Sequence, residues 1–179
     1  MSEASETFLH SIGDAENLLR HFDSLNTQPP PPELEVLKRA GLVMAMTAWE
    51  TYVEDRLQEA TAWRLSALSD RSIAAFVQQS LAREIKRLHN PAARKTIQLF
   101  RNYAGVDLWN DWCWEGSEGQ SVRDKLNELM QLRGEVVHRS RPIERGDPAP
   151  HPVRRDDLES AIAFLKSLVQ ATEKACEKP

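Results

Sequence analysis

The chain has 179 residues with 23 basic and 27 acidic side chains, a net charge of −4, so it can bury a core but lacks a general basic coat for nucleic acid; any RNA contact needs a local patch. Seven glycines and scarce apolar–polar alternation argue against a β-rich fold. Cys113 and Cys176 form no C-x-x-C pair, the acidic MSEASETFLH start is no secretory leader, and the longest apolar run, residues 41–49, is too short for a bilayer; a cytoplasmic protein without membrane contact is expected.

In chain order, residues 5–26 read as a first helix, because Phe8, Ile12, Ala15, Leu18, Leu19 and Phe22 recur at helical spacing. The prolines at 29–32 stop it, and Pro32 suits the first turn of the next helix. That second helix runs from about residue 33 to about 68. Its middle, GLVMAMTAWETYVEDRL, is apolar on most sides, the mark of a central helix. Ser69 and Asp70 cap a third helix through about His89. Asn90-Pro91 reads as a restart, with Asn as N-cap and Pro at the first helical position. The fourth helix carries Ile97, Leu99, Phe100 and Tyr103. Residues 105–120 read as loop. Ser121 with Asp124 resembles a capping box opening a fifth helix that ends near Arg139. Residues 140–155 form an Arg- and Pro-rich loop, and Asp156 with Glu159 caps a last helix faced by Leu158, Ile162, Leu165, Leu168 and Val169. The expectation is an all-α bundle of five or six helices in a single domain over residues 1–179.

The fifth helix carries the most informative stretch, RGEVVH at 133–138. Arg133 is a permanent forked cation, and His138 moves protons near neutral pH, a pair suited to phosphodiester chemistry. On a helical wheel Val122, Leu126, Leu129, Met130, Val136 and Val137 share a broad face with Arg133 near its middle. His138 lies about 140° further round. Within one chain the two do not form a side-by-side pair. Across a two-fold axis the same helix lines both sides of one groove, giving two of each. A second explanation stands beside this one: an arginine on an apolar face is often structural and paired to a carboxylate, here Glu50 or Glu54, and a histidine at a helix C-terminus often only favours the dipole.

Glu50, beside Trp49 on the central helix, is a candidate for orienting Arg133 or His138, or else an ordinary ion-pair carboxylate. Asn127 falls on the His138 side of its helix and is a candidate cleft residue. Residues 139–155 hold five arginines against Glu144 and Asp147, three positive charges in excess. Arg139, Arg141 and Arg145 are candidates for holding RNA phosphates, unless the segment is simply a solvated loop. Trp109, Trp112 and Trp114 suit base stacking or, more often, packing. His10, His21, His89 and His151 show no metal-ligand spacing, and no G-x-x-x-x-G-K-[ST] or G-x-S-x-G occurs. No metal and no cofactor is assigned.

The segment LNELMQLRGEVVHR resembles the R-x-x-x-x-H motif of the HEPN superfamily of small α-helical proteins. With AMTAWETYVEDRL, NPAARKTIQLFRNYAGVDLWNDWCW and DDLESAIAFLKSLV in that order, residues 36–170 resemble its RiboL-PSP-HEPN subgroup. The resemblance implies a HEPN-like homodimer acting as a metal-independent endoribonuclease, with Arg133 and His138 as the catalytic pair in a cleft between two motif helices. The 2′-hydroxyl of RNA would attack the adjacent phosphate and leave 2′,3′-cyclic phosphate and 5′-hydroxyl ends. It further implies a toxin or defence effector, with an antitoxin or inhibitor protein as partner. Many members carry a polar residue after the Arg, where this chain has Gly134. Some members are non-catalytic, so the alternative is a helical module binding RNA, a nucleotide or a partner protein.

Overall fold

The computed structural model describes residues 1–27, 31–138 and 153–177, with the side chains of Pro32 and His138 outside the description. Seven α-helices lie among the described residues: α1 (Glu3–Leu25), α2 (Glu35–Ser66), α3 (Arg71–Ile85), α4 (Ala93–Leu99), α5 (Leu108–Asp111), α6 (Gly119–His138) and α7 (Arg155–Cys176). Six match the elements read from the sequence. The seventh, α5, lies inside the segment expected to be loop; Asp107 caps it by accepting from Trp109 N at 3.1 Å. No strand occurs among the described residues, and none of their helices is long and apolar enough to cross a membrane.

Helix α2 is the spine. It packs against α1, α3, α6 and α7, which is why its apolar residues face several directions. Leu42, Met46, Trp49, Tyr52, Val53 and Leu57 are all essentially inaccessible. The α1 stripe of Phe8, Ile12, Ala15, Leu19 and Phe22 closes on one side. The α7 stripe of Leu158, Ile162, Leu165, Leu168 and Val169 closes on another. Each Val, Leu, Ile or Phe among them contributes roughly 1.5–3 kcal/mol on burial. Gly41 permits the close approach of α2 and α7: a Cβ there would stand 2.7 Å from Leu158 Cδ2.

Two indoles order the centre. Trp49 and Trp112 meet edge to face with ring centroids 6.1 Å apart. Trp49 Nε1 donates to Pro91 O at 3.2 Å, and Trp112 Nε1 donates to Thr172 Oγ1 at 2.9 Å, so neither buried donor is left unmade. Trp112 is therefore core and has no face for a base. Trp114 packs on Phe164. Trp109 stays half exposed, with the Arg123 guanidinium 3.8 Å over its ring.

Several helix ends differ from their local signatures. Ser121 and Asp124 do not open α6, which begins at Gly119; Ser121 Oγ donates to Glu118 O, and Asp124 accepts from Gln120. At α7 the capping carboxylate is Asp157, which accepts from Arg154 N at 3.0 Å, while Glu159 pairs with Arg155. Asp70 caps α3 as expected, accepting from Ser72 N and Ile73 N. Helix α4 runs into a π-helical turn, Phe100–Ala104, that Gly105 ends with a left-handed φ of 65°. On α6, Val122, Leu126, Leu129 and Met130 are buried as the wheel requires, but Val137 is exposed, because the apolar face gives way to solvent toward the C-terminal end.

Candidate functional site

The C-terminal half of α6 meets the middle of α2 across a short connection, residues 86–92, between α3 and α4. Arg133 lies at that junction. Burial of Leu126, Leu129 and Met130 fixes the rotation of α6 about its axis, and this rotation turns Arg133 toward α2. Its side chain remains 24% exposed, so the guanidinium stands at the edge of the core rather than within it.

Two contacts hold it, and a third joins its two partners. Arg133 Nη1 donates to Asn90 Oδ1. Arg133 Nη2 lies 3.6 Å from Glu50 Oε2. The other Glu50 oxygen, Oε1, accepts from the backbone N–H of Asn90 at 3.3 Å. Arg133 Nε is buried and has no hydrogen-bond partner among the described residues. Of the two carboxylates proposed from sequence, Glu50 takes the arginine. Glu54 lies further along α2; burial first, then the charges of Glu50 and Asp55, push its carboxyl up, with His89 opposing. This corner of α2 is thus acidic, with the Arg133 guanidinium beside it.

Asn90 is the site residue that sequence reasoning misplaced. Read as an N-cap, it instead adopts a left-handed φ of 59°, and α4 starts three residues later with Ala92 at the cap position. Ala92 has no side chain to cap with. Asn127 of α6 does that work: its Oδ1 accepts from Ala93 N at 3.2 Å. Pro91 O accepts from Trp49 Nε1 and from Thr96 Oγ1, at 3.2 and 3.1 Å. Residues 90–93 are therefore pinned by α2 on one side and by α6 on the other, at both Asn127 and Arg133. The Asn-Pro pair signalled a turn here; nothing local signalled that its amide would receive an arginine 43 positions away.

The structure thus joins Arg133 to Glu50, and it places Asn127 at the start of α4. His138 closes α6, five positions after Arg133, and its side chain lies outside the described residues. Arg139, Arg141 and Arg145 also lie outside them, as does most of the Arg- and Pro-rich segment. Chemically, the described part is a partly exposed guanidinium hydrogen-bonded to Asn90 and ion-paired with Glu50. Such a group can take an anionic oxygen on a remaining Nη–H. No curated protein and no solved structure gives a significant match to the chain. One family does: RiboL-PSP-HEPN, over residues 11–178.

Proposed function

This chain belongs to the RiboL-PSP-HEPN family, and from that membership we propose that it is a metal-independent endoribonuclease working as a two-fold dimer. The observation that carries the proposal is the presentation of Arg133. Just beyond the buried Leu129 and Met130, its partly exposed guanidinium is held by Asn90 and Glu50, five positions before His138 on the same helix. A second copy of α6 across a two-fold axis supplies the second Arg and His.

In the proposed reaction one His138 accepts the proton of an RNA 2′-hydroxyl. The 2′-oxygen bonds to phosphorus, the bond from phosphorus to the 5′-oxygen breaks, and the other His138 protonates the departing oxygen. Arg133 stabilises the negative charge that builds on the non-bridging oxygens. The products are a 2′,3′-cyclic phosphate and a 5′-hydroxyl; DNA, lacking the 2′-hydroxyl, is not cut. Arg139, Arg141 and Arg145, directly after His138, are proposed to hold flanking phosphates. A self-damaging nuclease of this kind fits a cytoplasmic toxin or defence effector restrained by an inhibitor protein.

One observation favours a different reading. Arg133 already has a carboxylate and an amide for partners, which is how a structural arginine is satisfied. On that reading the protein is a helical module that binds RNA, a nucleotide or a partner protein without turnover. The two separate in one experiment: purified protein, RNA and EDTA, with end analysis of the products. The nuclease reading expects cyclic-phosphate ends and losses of about 100-fold or more in both His138→Ala and Arg133→Ala. Unchanged cleavage in either variant rejects the assigned pair. Binding without cleavage, insensitive to His138→Ala, selects the module. Full activity in a strictly monomeric species rejects the composite cleft.

A further inference from the structure

Building on the endoribonuclease reading, we propose that Asn90 is a positioning residue that sets the orientation of the Arg133 guanidinium. Asn90, Glu50 and Arg133 form a closed triangle in which each touches both others: Arg133 Nη1 to Asn90 Oδ1, Asn90 N to Glu50 Oε1 at 3.3 Å, and Glu50 Oε2 to Arg133 Nη2 at 3.6 Å. A hydrogen bond to one Nη and an ion pair at the other leave a forked, planar cation less freedom to rotate than either contact alone would. The acceptors also differ in charge. Asn90 is neutral, so it orients the guanidinium without cancelling the charge that a phosphate needs; a second carboxylate in its place would cancel more of it.

The backbone at Asn90 supports the same conclusion. With φ at 59°, glycine would meet the turn with less strain. Asparagine tolerates this conformation better than most side chains and adds an amide where Arg133 arrives. The residue is exposed, yet its surroundings are rigid. Pro91 O is held by Trp49 and Thr96, and Ala93 N by Asn127. The amide thus sits on a fixed platform built by two helices. On α6 itself no neighbouring side chain at the next position could do this. Gly134 has none, and a Cβ there meets nothing within 4 Å.

Asn90→Gly keeps the left-handed backbone and deletes the amide; Asn90→Asp keeps an acceptor oxygen. With the full chain and RNA in EDTA, Asn90→Gly is expected to lower kcat roughly 10- to 100-fold with KM little changed, the size of loss that a misaimed catalytic group produces. In an Arg133→Lys background, which keeps a charge but not the fork, the same change is expected to cost less than about threefold. Wild-type kcat in Asn90→Gly overturns the proposal, and so does an equal loss in both backgrounds, which marks a general structural effect. If the parent protein cleaves no RNA, the nuclease reading fails, and NMR of the Arg133 guanidinium decides the positioning separately. Restricted rotation about the Cζ–Nη bonds in the parent and in Asn90→Asp, released in Asn90→Gly, supports it. The same rotation in all three overturns it.

Discussion

Replacing Asn127 with alanine asks whether this side chain serves the fold or the cleft. Its Oδ1 is the side-chain acceptor for Ala93 N–H at the start of α4, and Ala93 is 1% exposed. No side chain of the N-cap residue can take over, because that residue is Ala92. Loss of a cap costs about 1 kcal/mol, and a buried N–H left without an acceptor costs about 1–3 kcal/mol. The contact is partly buried, so some of this is recovered by water; a net loss of about 1–2 kcal/mol is expected. An unfolding entropy of about 2.1 cal/mol/K per residue converts this to a fall in Tm of about 3–5 °C for a chain of this length. Melting followed by far-UV circular dichroism reads the shift. Asn127→Asp, which keeps the acceptor, is expected to restore most of it. RNA cleavage below the transition is expected to stay within a few-fold of the parent. The reasoning is refuted by an unchanged Tm together with lost cleavage, which would make Asn127 a substrate contact and not a cap for a distant helix.

Two further outcomes follow from packing and ionisation. Gly41→Ala gains about 1 kcal/mol of helix propensity but drives a methyl to 2.7 Å from the buried Leu158 side chain, an overpacking that costs about 1–3 kcal/mol. Net destabilisation up to about 2 kcal/mol in a urea titration is expected, and a clear stabilisation would show that α7 shifts freely. At high pH, burial pushes the Cys176 thiol up from 9.0 to about 11 and raises the Tyr52 phenol as well. The folded state keeps these protons longer than the unfolded chain does. Stability is therefore level below pH 9 as far as these groups are concerned; it falls as pH rises from 9 to 11 through Cys176, and Tyr52 adds to the fall above its ordinary value of 10.0. The Cys176 share is at most about 2–3 kcal/mol. Comparing the pH dependence of stability in Cys176→Ala with the parent isolates it, and identical slopes would show that the thiol ionises without resistance.

The helices were legible from sequence because their signal is local. A 3.6-residue period shows the buried stripes of α1 and α7, and Asp70 marks the start of α3 within a few residues of itself. The Arg133–His138 spacing and its family resemblance were likewise visible without coordinates. Local signatures failed where a competing partner was close by: S-x-x-D fits a capping box, yet Gln120 occupies Asp124, and α6 starts two residues earlier.

What surrounds Arg133 was decided by tertiary packing alone. Glu50 and Glu54 lie one helical turn apart and looked equivalent; the angle at which α6 crosses α2 brings Arg133 to Glu50. The sequence marks Asn90 as an N-cap and Asn127 only as a candidate for lining the cleft. The fold gives the cap to Asn127, 34 positions from the amide it receives, and gives the arginine to Asn90. Residue types and helical period are properties of neighbours in the chain. Which polar groups satisfy one another is settled only when buried faces lock the helices together and so decide which acceptors each donor can reach.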